Sequence, residues 1–191
     1  MYNVLILGSG GREHVLAWSI CKDNKLKNLY CAPGNAGTQM MATNIDIDIM
    51  NNEEILSFVK INDINLIIVG PEQPLENAVV DFFEKRNIKI FGPSKYAAQL
   101  ETSKLFARYI MEKHNIPQPA FFECENEEDI LSVQGKIGFP LVLKADGLAA
   151  GKGVIICKDF DSLDKAMDEM INVKKFGTAA SKISVEECLK G

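Results

Sequence analysis

Five short apolar runs, at residues 4–7, 29–32, 45–49, 66–69 and 88–91, are mostly unbroken rather than alternating with polar residues. A strand covered on both faces has no solvent side to alternate with, so such runs predict the buried strands of a parallel sheet. Faces of helical period lie between them. Ile55, Phe58 and Val59 form one; Leu75, Ala78, Val79, Phe82 and Phe83 form another, filling i, i+3, i+4, i+7 and i+8 as a single helix would. Strands and helices in alternation predict a doubly wound α/β unit over residues 1–95.

A long helix is expected over residues 95–115, stopped by Pro117 and Pro119, because proline lacks the N–H that continues a helix and restricts its predecessor. Beyond it the expected order is a strand at 120–124, a helix at 127–137 and a strand at 141–145. A glycine-rich turn, a strand at 154–157, a second helix and a strand at 183–187 follow. The second helix carries Leu163, Ala166, Met167, Met170 and Ile171 on one face. The reading is therefore an α/β domain over residues 1–100 and a small α+β domain over 101–191, the latter a linker helix plus a module at about 118–188.

Composition narrows the function classes. Twenty-one Lys and Arg against 26 Asp and Glu give a formal charge of -5 with no basic stripe, which argues against nucleic acid as a partner. Any anionic ligand must be caught locally. Five cysteines without a C-x-x-C pair suggest neither a disulfide framework nor a zinc site, and a cytoplasmic location is expected. No apolar run is longer than four residues, so no membrane span is expected.

Three loops fall where strand carboxyl ends are predicted, the edge at which open parallel sheets hold ligands. The first is Gly8-Ser9-Gly10-Gly11-Arg12-Glu13-His14, ahead of a helix burying Val15, Leu16 and Ile20. Glycines let the backbone approach a guest, and free N–H groups at a helix start favour an anion such as phosphate. A dinucleotide fingerprint would need glycine where Glu13 stands and an acid after the second strand, which reads Tyr30-Cys31-Ala32-Pro33. The other two loops offer the Asn35 amide and the Glu72 carboxylate, suited to sugar hydroxyls or an amine.

The sharpest element runs from Lys144 through Asp146, Gly147, Gly151, Lys152 and Gly153 to Val154. Its small residues form a flap whose N–H groups can close over a polyphosphate, with Lys144 as a fixed charge at a strand end. It is not a Walker A loop: three residues separate Gly147 from Gly151, Gly153 replaces Ser or Thr, and a strand follows. Read by itself, Lys104 is a solvated helix-surface lysine, and residues 183–187 are only a strand. His14 and His114 share no metal spacing.

The stretches GSGGREH (8–14), APGNAGT (32–38), VGPEQPL (69–75), IFGPS (90–94), AAQLETSK (97–104) and KADGLAAGKGV (144–154) occur in this order. With them the chain resembles the N-terminal part of the phosphoribosylamine–glycine ligases, ATP-grasp enzymes of purine biosynthesis, over essentially its whole length. The resemblance implies a Rossmann-like domain before an ATP-grasp domain, and ATP-dependent joining of glycine to 5-phosphoribosylamine through glycyl phosphate. It assigns Lys104 and Lys144 to ATP phosphates, residues 146–153 to a covering flap, and Glu186, Glu187 and Leu189 to adenine. Gly10, Gly11, Asn35 and Glu72 are assigned to phosphoribosylamine, while Cys188 stands where a bulkier residue is expected. In the family the Mg²⁺ ligands come later than residue 191, so no metal ligand is named, and the fragment alone is not expected to turn over. The competing expectations are another ATP-grasp purine ligase and a non-catalytic nucleotide-binding module.

Overall fold

The computed structural model describes residues 1–149, 152–173 and 180–190, and the chain divides into two compact units, Met1–Ala98 and Gln99–Gly191. In the first unit β1 (Tyr2–Gly8), β2 (Leu26–Pro33), β3 (Thr43–Asn44), β4 (Leu66–Val69) and β5 (Ile90–Phe91) form one sheet. Its order is β3-β2-β1-β4-β5 and every pair is parallel. The helices α1 (Gly11–Ile20), α2 (Asn52–Ile61), α3 (Glu72–Glu76) and α4 (Val79–Glu84) connect the strands. Consecutive residues of β1 serve opposite cores. Leu5 and Leu7 pack with Ile55, Val59, Val79 and Phe83, whereas Val4 and Ile6 pack with Ala17, Leu29 and Cys31. Burial on both faces, at about 1.5–3 kcal/mol per large side chain, explains the unbroken apolar run.

Several expectations need correction here, the first being at α1, which leaves Val15 exposed and buries Ala17 instead. Residues 45–49 are not a strand: only Thr43 and Asn44 pair with β2. Ile47 and Ile49 still lodge against the core while Asp46 and Asp48 stay exposed, and the Asp48 carboxylate accepts from the Met50 N–H (2.9 Å), which makes a turn. The single helix expected from Leu75 to Phe83 is two helices. Ala78 between them takes a left-handed φ of 60°, yet Leu75, Val79, Val80 and Phe83 remain buried, so the periodicity survives a break it cannot reveal. The last strand is shorter than expected, Ile90–Phe91.

The long helix after it is also two, α5 (Lys95–Thr102) and α6 (Lys104–Lys113). Ser103 is extended and its hydroxyl accepts from the Phe106 N–H (3.0 Å), so a serine cap restarts the helix where sequence periodicity runs on.

In the second unit β6 (Phe121–Cys124), β7 (Leu141–Ala145), β8 (Val154–Cys157) and β9 (Ile183–Glu187) form an antiparallel sheet ordered β6-β9-β7-β8. The helices α7 (Glu127–Ile137) and α8 (Phe160–Met167) start on side-chain caps from Asn126 and Asp159, and a π-wound turn (Asp168–Asn172) extends α8. One sheet face is apolar: Leu141, Leu143, Cys157, Ile183 and Val185 pack with Ile130, Val133, Leu163 and Met170. The residues in between, Lys144, Ser184 and Glu186, belong to the other face. Among the described residues no helix is long and apolar enough to cross a membrane.

Candidate functional site

In the first unit the order reverses at β1, and the loops after β1, β2 and β4 meet at the carboxyl edge there. The Gly34 N–H donates to Gly8 O (3.1 Å), and the Gly70 N–H donates to Leu7 O (3.0 Å). Asn35 ties the first two loops together. Its Nδ2 donates to Ser9 O (2.9 Å) and Gly10 O (3.1 Å), while its Oδ1 accepts from the Gly37 (2.8 Å) and Thr38 (3.0 Å) N–H groups. The side-chain amide is thus already engaged on both sides. Gly10 and Gly11, at the start of α1, are exposed at the same edge. Glu72, the first residue of α3, accepts from Arg12 Nη1 (2.8 Å), and that bond holds its carboxyl below the usual range despite partial burial.

Glu13 is the residue that sequence reasoning passed over in this unit, treating it only as an obstacle to a dinucleotide fingerprint. Its carboxyl is 3% exposed and Oε2 accepts from the Gly10 N–H (2.5 Å), the return half of a capping box. Glycines make room for it. A Cβ on Gly8 would come 2.7 Å from Glu13 Cδ, and a Cβ on Gly70 would collide with the same carboxyl. The signal was the three-residue spacing from Gly10 to Glu13 ahead of an apolar helix.

In the second unit the polar sheet face gathers Lys144 of β7, Ser184 and Glu186 of β9, and Arg108 of α6. Glu186 is buried and fully partnered. Oε1 accepts from Arg108 Nε (2.9 Å) and Ser184 Oγ (3.1 Å); Oε2 accepts from Arg108 Nη2 (2.5 Å) and Lys144 Nζ (2.7 Å). Burial pushes its carboxyl up, but the bonds from Arg108 and Lys144 together outweigh burial and hold it below the ordinary range.

Lys104 is not the solvated surface lysine its helix position suggests. Partly buried, it donates through Nζ to the carbonyls of Gly147 (3.1 Å) and Asp146 (3.4 Å), and burial pushes its ammonium down, with Lys144 adding to the effect. The root of the glycine loop is moored to α6. Asp146 accepts from the Leu105 N–H (2.8 Å) and Ser103 Oγ (3.0 Å), and its own carbonyl accepts from the Lys104 N–H (3.2 Å). Gly153 closes the hairpin where a Cβ would stand 2.6 Å from that of Ala149. Lys152 is exposed, and Gly151 lies outside the described residues. Glu187, the last residue of β9, and Leu189 beyond it are exposed; the Glu187 N–H donates to Ala120 O (2.9 Å).

Around Glu186 two cations, Arg108 and Lys144, meet one carboxylate, while the Lys104 ammonium rests on loop carbonyls and feels the charge of Lys144. In a chain of charge -5 these three cations stand close to the glycine loop. Among the described residues no group of three or more His, Cys, Asp or Glu is placed to hold a metal ion.

Two family models match the chain in tandem. The phosphoribosylglycinamide synthetase N domain covers residues 2–101, and the ATP-grasp (A) domain of the same synthetase covers 102–191. Phosphoribosylamine–glycine ligase of Pseudomonas aeruginosa is 45% identical over 191 residues, 99% of this chain and 44% of that protein; the Clostridium acetobutylicum ligase is 40% identical over 98% of this chain and 45% of its own length. The chain therefore spans under half the length of these curated relatives. The crystal structure of the Thermotoga maritima ligase superposes with a TM-score of 0.76 at 31% identity, over 99% of this chain and 44% of that one. The biotin carboxylase domain of Hydrogenobacter thermophilus 2-oxoglutarate carboxylase, in complex with MgADP, reaches a TM-score of 0.80 at 20% identity, over 99% and 44% of the two chains, a likeness of fold alone.

Proposed function

Because the chain belongs to the phosphoribosylglycinamide synthetase family, we infer that the polypeptide carrying it joins glycine to 5-phosphoribosylamine at the expense of ATP. A carboxylate is a poor electrophile. Transfer of the γ-phosphoryl group to a glycine carboxylate oxygen gives glycyl phosphate and ADP. The amine nitrogen then attacks the acyl carbon, the C–N bond forms, phosphate leaves and the nitrogen gives up a proton. Phosphoryl transfer depends mainly on positioning and on offsetting charge.

In this reading Lys104 and Lys144 take the ATP phosphates. The observation that carries it is that both ammonium groups stand at the root of the glycine loop, Lys104 on its carbonyls and Lys144 sharing one buried carboxylate with Arg108. Lys104 rests on carbonyls, acceptors that a phosphate oxygen can replace. The loop from Asp146 to Gly153 covers the phosphates through its backbone, since the Asp146 carboxylate is occupied by α6. Adenine lies against residues 186–189. With its carboxylate engaged, Glu186 would contribute main-chain groups there, alongside Glu187 and Leu189.

In the first unit the Gly11 N–H at the start of α1 receives the phosphate of phosphoribosylamine, with Gly10 lining the turn while its own N–H stays on Glu13, in a loop shaped by Asn35 with Glu72 beside it. Mg²⁺ is proposed to accompany ATP, as in the MgADP complex of the Hydrogenobacter protein, and no step above is routed through it. The location proposed is the cytoplasm.

The test is ADP release by the polypeptide carrying this chain, dependent on both glycine and phosphoribosylamine. Lys144→Ala should lower kcat/KM for ATP by about 10- to 150-fold, the equivalent of one charge-assisted contact at about 1.5–3 kcal/mol. Unchanged kinetics in that variant would remove Lys144 from the site, and ADP release indifferent to phosphoribosylamine would remove the substrate assignment.

A further inference from the structure

We propose that Arg108 is a positioning residue for nucleotide binding: by neutralising the buried Glu186 it frees the charge of Lys144 for phosphate. The proposal rests on the reading that Lys144 meets a polyphosphate.

The geometry is a carboxylate shared between two cations. Glu186 is 1% exposed, and the side chains of Arg108 and Lys144 are 16% and 23% exposed. Arg108 grips both oxygens in a fork, Nε on Oε1 and Nη2 on Oε2, whereas Lys144 has a single bond to Oε2. A planar guanidinium matched to both oxygens is the stronger and more directional partner. Arg108 lies one helical turn beyond Lys104, so the same face of α6 presents both. It is further braced where Gln118 Nε2 donates to its carbonyl (3.1 Å) and its Nη1 donates to Met111 Sδ (3.8 Å).

Charge bookkeeping turns this into function. With Arg108 present, Glu186 is neutralised and keeps three donors when Lys144 leaves it for a phosphate oxygen. Without Arg108, Lys144 becomes the sole counter-charge of a buried carboxylate, and its departure would leave that charge unpaired, a state proteins strongly disfavour. Lys144 would then be held on Glu186 and lost to the ligand. The same logic predicts a rescue: once Glu186 is made neutral, Arg108 is no longer required.

The experiment titrates the polypeptide carrying this chain with inorganic tripolyphosphate, with a nonhydrolysable ATP analogue and with adenosine. Arg108→Met should weaken both polyphosphates by about tenfold or more, as loss of one member of a buried charge pair does, and leave adenosine unchanged. Arg108→Gln keeps hydrogen bonding without the charge, should lose as much, and carries the comparison if the Met variant does not fold. Arg108→Lys should bind close to wild type. The Arg108→Gln, Glu186→Gln double variant should recover most of the tripolyphosphate affinity, which a purely structural role for Arg108 would not produce. Failure of the rescue in a folded double variant, or a Gln variant that binds like wild type, overturns the proposal while leaving the nucleotide site intact. If Lys144→Ala also leaves tripolyphosphate binding unchanged, the nucleotide-site reading falls and the proposal with it.

Discussion

Asp146 sits in the glycine loop, where the family resemblance assigns it to nucleotide, yet its carboxylate is bonded to the first turn of α6. Asp146→Ala therefore separates a scaffold role from a ligand role. The substitution takes the acceptor from the Leu105 N–H (2.8 Å) and from Ser103 Oγ (3.0 Å), leaving the Asp146 carbonyl and its bond from the Lys104 N–H in place. An N–H without a partner costs about 1–3 kcal/mol, and loss of a negative charge at a helix start costs about 0.3–1 kcal/mol. Because the site is only partly buried, water recovers some of this, and about 2 kcal/mol is the expected net loss. At 1.4 kcal/mol per decade, native-state exchange of the Leu105 amide should accelerate about 30-fold, while the amides of α1 in the other unit keep their rates. Asp146→Asn keeps an acceptor without the charge and should lose about half as much, with its affinity for a nonhydrolysable ATP analogue unchanged. Unaltered Leu105 exchange in the Ala variant would refute the mooring. Loss of nucleotide binding in the Asn variant without any change in exchange would transfer the carboxylate to the ligand.

Gly70→Ala should destabilise the first unit by about 1–3 kcal/mol through overpacking against Glu13, read by urea unfolding with Trp18, the chain's one tryptophan, as the probe. A second change, Glu13→Ala, should remove most of that loss; if it does not, the collision is not the cause. Burial raises the thiols of Cys31, Cys124 and Cys157 to about 11, so a brief iodoacetamide pulse at pH 7.5 should label the exposed Cys21 well before these three, as mass spectrometry of the digest would show. The depressed Glu186 carboxyl contributes stability that is present above its ordinary value of 4.5 and lost as pH falls through the lower folded value. Wild-type stability should accordingly fall more steeply than that of Glu186→Gln below pH 4.5; parallel curves would mean the carboxylate carries no such contribution.

The parts of the fold legible in the sequence are those in which neighbours along the chain settle the outcome. α7 starts after Asn126 and ends before Gly138, whose φ is 72°, and the core-facing Leu141, Leu143 and Ala145 of β7 alternate with Val142 and Lys144, so those boundaries matched their expected positions. Residues 45–49 and 75–83 misled because hydrophobic period reports which side chains are buried, not whether the backbone between them is continuous. Ile47 and Val79 reach the core from a loop and from beyond a left-handed residue just as well.

The candidate site divides along the same line. Lys144 was legible because its strand and the glycines after it are contiguous. Arg108 was not, since its partner Glu186 lies 78 residues away and an arginine in a helix has no pattern that separates a surface position from a buried fork. Lys104 shows what was missing. Its surroundings follow from a serine at 103 that breaks the helix and bonds to Asp146, 43 residues on, so the bend that sets an ammonium group against the glycine loop arises only once both segments are folded. A lysine that looks solvated in the helical pattern is set against the carbonyls of the glycine loop through that one tertiary bond.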